Sequence, residues 1–332
     1  MNKLLHITFV ALCTVFLSSC GGLNLLTFDQ MDAADINFPN SVKRVAVLST
    51  MQPFDYSEKS MEVSEQMRGD GQITAETLAN ALADAQYFDK VIIADSLSAL
   101  PMADKRWSLS PNDVRGLTKD LDVDMLIAVE HLGMDSRLDQ LYIPEFIDPV
   151  YGIHSTVETL LRVYLPEQDK PLYTIAKRDS AVWDFSSTLT PKAFVRDASE
   201  FGAYSAVNCF VPHWVQATRY YYDGGPLPMR EAGVFVREQN WAEALNLWTA
   251  LYDKKKKGKQ AMKAAYNIAL YHEMTDNINE ACKWIDIAAS LVSPNTVDQK
   301  YVELYRKVLS ERQQKITRLN MQMQRFQDIF EE

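Results

Sequence analysis

Cys20 is the residue whose type and setting best suit a reaction. It follows Leu17, Ser18 and Ser19, whose small hydroxyl side chains leave the 19/20 peptide open to a protease, and its thiol is a nucleophile able to accept a diacylglyceryl group. The other reactive side chains assemble into no motif. Beyond residue 19 the histidines are His131, His154, His213 and His272, none in HExxH or paired-ligand spacing, so no metal is expected. GxSxG, SxxK, Walker and GxGxxG patterns are missing too, so the sequence predicts no enzyme and no cofactor. Asp122 and Asp124 flank a strand start and read as turn residues rather than a catalytic pair. Trp214, Tyr220, Tyr221 and Tyr222 form an aromatic cluster suited to stacking on sugar rings or to filling a domain junction. Lys254, Lys255, Lys256 and Lys257 suit a solvated loop tip, a partner, or acidic lipid headgroups.

The elements that position Cys20 come first in the chain. Lys3 supplies a positive start, and the apolar run at 4–17 is about 14 residues, short of the roughly 20 that cross a bilayer. Residues 1–19 are therefore expected to be an export signal cut between Ser19 and Cys20. This pattern resembles bacterial lipoprotein signals. The resemblance implies an acylated Cys20, held stably by two or three chains. With no acidic residue at the second position after cleavage, it implies the outer membrane, facing the periplasm.

The rest of the chain is long enough for two domains. Apolar residues make up 47% and charged residues 23%, which excludes disorder as the main state. A net charge of −10 without a basic stripe argues against nucleic acid as a partner. Cys209 and Cys282 sit in half-apolar helical patterns and read as two small buried thiols ahead of a disulfide.

Residues 20–40 read as a lipidated spacer and 41–223 as an α/β domain. Strand 42–48 is nearly all apolar, as a strand covered on both faces would be. Helix 75–85, strand 91–93, a helix opened by Ser110, Pro111 and Asp113, and strand 125–129 follow. Residues 132–153, with Asp135, Arg137, Asp139, Glu145, Asp148 and two prolines, read as a loop. Strands at 154–165 and 172–182 form a hairpin, and a long helix at 191–222, split at Pro212, closes the domain. This β-α-β-α-β-β-β-α order resembles the periplasmic α/β domain of curli-secretion-type (CsgG-like) lipoproteins and the N-terminal domain of TolB. The curli proteins build a pore from apolar hairpins, and the charges at 132–153 argue against one here.

Asp223, Gly224, Gly225 and Pro226 mark a boundary, and 224–332 reads as helical. Ala232, Phe235, Trp241, Ala244, Leu245 and Trp248 form one unit; Ile268, Ala269, Ile278, Ala281, Ile285 and Ala288 form a second, with Ala281 lying 37 residues after Ala244. Small residues at close approaches and aromatics in the gaps resemble tetratricopeptide (TPR) repeats, whose usual period is ~34. From about 297 a last helix carries Val302, Tyr305, Leu309, Arg312, Ile316, Leu319, Met323 and Phe326 in a heptad seam broken by Arg312. That seam suits a capping helix, or a docking surface for a partner or second copy.

The expected fold is thus α/β (α+β) with a mixed sheet, followed by an all-α TPR-like domain. The plan resembles a lipoprotein family of Bacteroidota and implies no activity. The expected role is a lipid-anchored envelope scaffold, attached to the membrane through Cys20 and binding another envelope protein, with the last helix as a candidate surface for self-association. Trp241, Trp248, Ile316, Leu319, Met323 and Phe326 would meet the partner. The alternative is a glycan- or small-ligand-binding lipoprotein, by resemblance to starch-utilisation (SusD-like) proteins, using Trp214 and the three tyrosines.

Overall fold

A computed structural model describes residues 22–56, 66–94, 108–141, 150–184 and 189–331. Ser19 and Cys20 lie outside the described residues. The protein is a mixed α/β domain followed by a run of helices, organised as two compact units. One holds residues 22–32 with Trp214–Asn320, and the other Ala33–His213 with 321–331. The chain therefore passes from unit to unit after Asp32, His213 and Asn320.

In the α/β unit, strand β2 (Arg44–Ser49) lies between β4 (Lys90–Ile93) and β5 (Met125–Leu141), parallel to both. The antiparallel strands β6 (Val150–Tyr164) and β7 (Tyr173–Asp184) extend the sheet, and the short β3 (Gln66–Arg68) pairs with the outer half of β5. Helices α1 (Gly71–Asp84) and α3 (Pro191–Val207) cover one face with Leu78, Leu82, Phe194 and Ala198, packed on Val45, Val47, Ile127 and Val129. Helix α2 (Pro111–Leu121) covers the other, against Ala46, Leu48, Leu126 and Ala128. Burial on both sides is why β2 and early β5 are unbroken apolar runs.

The helix starts follow local chemistry. Asp70 accepts the amides of Gln72 and Ile73, and Ser110 with Asp113 forms a reciprocal capping box ahead of α2. Asp122, at φ 52°, ends α2, and Asp124 then accepts both the Lys43 and Arg44 amides and the Arg44 guanidinium. Burial alone would raise the Asp124 carboxyl, but these bonds override it and hold it below its ordinary range. The two aspartates thus fasten the strand starts. Gly202 lets α3 approach the sheet, since a Cβ there would come within 2.8 Å of Leu132 and Thr159 side chains.

Three expectations are corrected. The charged stretch from 132 onward is no loop up to Leu141: β5 continues through it, and β6 begins at Val150. A bulge between Val129 and His131 exchanges the faces of the strand on the way. Before it, Leu126 and Ala128 face α2; after it, Leu132 and Met134 face α1 and α3. Asp135 and Arg137 then point to the open face of an antiparallel hairpin, where charge is tolerated. Second, the expected helix 191–222 ends at Val207, and His213–Tyr222 is a strand, β8. Pro212 stops the helical ladder, and the β-branched and aromatic residues beyond it alternate between exposed and covered. Third, the spacer contains strand β1 (Leu23–Asp32), which pairs with β8.

The second unit is built on that ribbon. The Gly22 carbonyl accepts the Asp223 and Gly224 amides, and Thr27 meets Thr218 at 3.1 Å, so β1 and β8 run antiparallel. Leu23, Leu26, Phe28, Tyr221 and Tyr222 join the core of helices α4 (Leu227–Arg237), α5 (Trp241–Lys255), α6 (Gly258–Met274), α7 (Ile278–Leu291) and α8 (Val297–Glu331). The two hairpins α4–α5 and α6–α7 turn alike. Gln239 and Asp276 adopt positive φ, and Asn240 and Asn277 cap the next helix by accepting the amides of Glu243 and Glu280. The 37-residue offset read from Ala244 and Ala281 also relates these turns. Both alanines are fully buried, as are Ala232, Ala269 and Ala288.

Candidate interaction surfaces

The most concentrated polar chemistry lies inside the helical unit. Glu273, near the end of α6, is fully buried and receives Arg219 from β8 through Nε at 3.0 Å and NH2 at 2.7 Å. Arg312 of α8 sits 3.2 Å from the same carboxylate, and the Tyr305 hydroxyl donates to it at 2.7 Å. Arg312 also reaches the Glu273 carbonyl and, at 2.7 Å, Asp276. The break in the heptad seam is therefore an inward-pointing charge with a buried partner. Burial first, then Glu273, holds the Tyr305 hydroxyl protonated well above its usual range. Every member is engaged by another, so this network joins β8, α6 and α8.

The expected partner-binding residues divide. Trp248 is fully buried, so it contacts only its own core, and Trp241 is half-buried against the same core. Leu319 is 9% exposed, while Ile316 and Met323 are half-covered. Phe326 lies in α8, with its side chain outside what is described. Beyond residue 320 the helix belongs to the α/β unit, where Gln322 donates to the Ala34 and Ile36 carbonyls and to Asn37 and accepts the Ala34 amide. Arg325 donates to the Pro39 and Val42 carbonyls and lies 5.1 Å from the Tyr87 ring centre. The outer turns of the helix are thus bound to this chain itself.

The aromatic cluster divides too. Tyr221 and Tyr222 are buried, the Tyr222 hydroxyl donating to Asp298 at 3.0 Å, and Tyr220 packs on Tyr301 with ring centres 4.8 Å apart. Trp214, 68% exposed, alone keeps an open face. The four do not form one platform. Cys209 is buried and Cys282 half-buried, both as free thiols. Burial, then the Asp35 hydrogen bond, pushes the Cys209 thiol up to about 11, leaving it inert at neutral pH.

In the α/β unit, α1 and α3 border an open cleft of 770 Å³ lined by Tyr56, Glu76, Asn80, Lys192, Arg196 and Glu200. Its charges are of both signs and pair locally, as in the Arg196–Glu200 contact of 3.1 Å. Among the described residues no group of three histidine, cysteine or carboxylate side chains is placed to hold a metal ion.

The bulge creates a site that no motif announced. Glu130, 1% exposed, accepts the Tyr164 hydroxyl at 2.5 Å and meets Arg162 at 2.5 Å. Its only sequence signal is one acid inside the run Met125 to Met134. Burial pushes its carboxyl above the ordinary 4.5, and Tyr164 and Arg162 only partly pull it back; burial also pushes the Tyr164 hydroxyl up to about 12. A raised folded value means that the stabilising contribution is whole below 4.5 and is lost as pH rises through the folded value. Glu130→Gln should flatten that decline and cost about 1–3 kcal/mol near neutrality, since Arg162, 28% exposed, loses its carboxylate but keeps some access to water. Urea midpoints followed across this pH range check it, and an unchanged slope would refute the assignment.

The family comparison follows the same division of the chain. A family model described as a domain of unknown function, DUF8603, matches residues 41–222, more than half of the chain. The chain belongs to that family. The DUF8603 region takes in the whole α/β sheet and β8, while a second model, also a domain of unknown function (DUF6340), matches 230–311, the helical run. Among solved structures, the PelC dodecamer from Paraburkholderia phytofirmans is 8% identical, covering 55% of this chain and 97% of its own, with a TM-score of 0.27. The hypothetical protein CT253 from Chlamydia trachomatis is 15% identical, covering 50% and 96%, with a TM-score of 0.25. No curated protein matches the chain.

Proposed function

We propose that this DUF8603 protein is a non-catalytic scaffold of the bacterial envelope, exported by residues 1–19, acylated on Cys20, and held at the outer membrane facing the periplasm. Its TPR-like hairpins present a surface to another envelope protein. The observation that carries the reading is the Leu17-Ser18-Ser19-Cys20 sequence set only two residues before Gly22, where the described fold begins. The repeated asparagine-capped hairpins support the adaptor role, because stacked helical pairs offer a surface without needing a reactive group. Exposed Val234 and Leu304, on α4 and α8, supply apolar contacts there. The partner surface in this reading excludes Trp248 and the α8 turns that carry Gln322 and Arg325.

A glycan-binding role rests on Trp214 alone, since Tyr221 and Tyr222 have no face to offer. Crosslinking on native membranes followed by purification tests the scaffold, with Cys20→Ala as control. The expected result is one defined envelope complex, lost together with membrane attachment in the variant. Recovery of the variant in the membrane fraction would refute the anchor, and binding of a soluble glycan lost in Trp214→Ala would refute the scaffold.

A further inference from the structure

We propose that the end of the helical unit where the chain emerges towards Cys20 docks on an anionic lipid bilayer, using the lysine turn between α5 and α6 and the exposed apolar residues beside it. This rests on the reading of Cys20 as acylated. The geometry runs outward from Gly22, whose carbonyl is bonded to the Asp223 and Gly224 amides, so a lipid on Cys20 would have almost no tether. A membrane held there must lie close to whatever surrounds that end.

What surrounds it is basic and apolar. A Cβ on Gly225, at φ 132°, would lie 2.8 Å from Gln260 Oε1, which sets the start of α6 beside the Gly224–Gly225 turn. Lys259 pairs with Asp298 at 2.8 Å, bringing the start of α8 to the same end. Between residues 244 and 272 the chain carries six lysines and one acid, Asp253, in a protein whose net charge is −10. Lys254, Lys255, Lys256 and Lys257 are all exposed, and no carboxylate engages them among the described residues. Leu227 and Val297, the first residues of α4 and α8, are 57% and 65% exposed at that end, and Leu25, three residues after Gly22 in β1, is 62% exposed. Apolar side chains beside lysines match a headgroup region, where each basic residue near an anionic leaflet is worth about fivefold in partitioning. Beside the exposed Asp253, the acids placed at that end are Asp223 and Asp298, which are occupied by Asn24 and Arg237 and by Lys259 and Tyr222.

The test uses the chain from residue 21 onward, which keeps every residue of the described fold and lacks the Cys20 thiol. It is sedimented with vesicles of phosphatidylglycerol and phosphatidylethanolamine and, separately, of phosphatidylcholine. Binding is expected on the anionic vesicles, weakening as salt rises, and the Lys254→Glu, Lys255→Glu, Lys256→Glu, Lys257→Glu variant should bind at least about tenfold less. A control reversal of Lys90 and Lys119, on the α/β unit, should bind unchanged. Equal binding to both vesicle types, or equal loss in the control, overturns the proposal. Acylation is read separately, from the mass of protein extracted from native membranes. An acylated Cys20 without lysine-dependent binding removes the surface and keeps the anchor; an unmodified Cys20 with such binding removes the anchor and keeps the surface.

Discussion

Glu273→Gln is expected to destabilise the helical unit by about 3–5 kcal/mol, because it strands the buried Arg219 guanidinium and leaves Arg312 paired with Asp276 alone. Arg219 and Arg312 have side chains only 14% and 9% exposed; Glu273 is the carboxylate that meets Arg219, while Arg312 also holds Asp276 at 2.7 Å. An amide can still accept from Tyr305, but it supplies no charge and cannot take the forked contact from Arg219. In urea, followed by helical circular dichroism, the transition should move down by more than about 1 M at a slope of 1–3 kcal/mol/M. Apolar replacement of all three charged residues should recover most of the loss, since the cost lies in the unpaired charges and not in the space they fill. A loss below about 1 kcal/mol for Glu273→Gln would show that water reaches the network.

Gln322→Ala should weaken the α/β unit by about 2–4 kcal/mol. The Gln322 side chain acts as one additional peptide group. Its carbonyl accepts the Ala34 amide at 2.9 Å, and its amino group serves the Ala34 carbonyl, the Ile36 carbonyl and Asn37 at 3.2, 3.1 and 2.7 Å. Alanine removes these partners from the buried Ala34 amide and carbonyl. Gln322→Glu should be at least as damaging, because a carboxylate cannot donate and would face two carbonyl oxygens. Faster hydrogen exchange at the Ala34 amide, in both variants, is the direct readout. Unchanged exchange would mean that the outer turns of α8 leave that segment as it was.

How legible these features were in the sequence follows from how many faces each element buries. Strand β2 and the first half of β5 are covered on both sides, so Val45 to Leu48 and Met125 to Val129 leave no polar position to mislead. The capping box at Ser110 and Asp113 is chemistry local to four residues, and it reads directly. The second half of β5 is covered on one side only, and there Asp135 and Arg137 carry the composition of a loop. The bulge compounds the difficulty, because it moves the face turned to α1 and α3 from odd positions, Ile127 and Val129, to even ones, Leu132 and Met134. For β8, Trp214, Gln216 and Thr218 alternate with Val215, Ala217 and Arg219, but the apolar spacing of the preceding helix runs on into the same residues and masks the period of two. The buried polar groups were hardest. Arg312 announced itself as a fault in a heptad, whereas Glu273 and Gln322 look like ordinary surface residues, and only tertiary contact reveals what they hold. The aromatic run shows the converse: of four rings close in sequence, three pack inward or against Tyr301, and Trp214, at the other end of the strand, stays open.

The three passages of the chain after Asp32, His213 and Asn320 mean that the two units are not beads on a string. Cutting the peptide between α/β sheet and helices would separate nothing, since β1 upstream and α8 downstream still tie the halves together. A fragment holding only residues 224–332 would lose both strands of the ribbon, and with Arg219 the charge that Glu273 was built to meet. Each unit therefore requires segments distant in sequence before it can close, and neither can be completed from a contiguous stretch of the polypeptide. The Ala34 segment must wait for the outer turns of the last helix, and strand β1 must wait for β8, almost two hundred residues later.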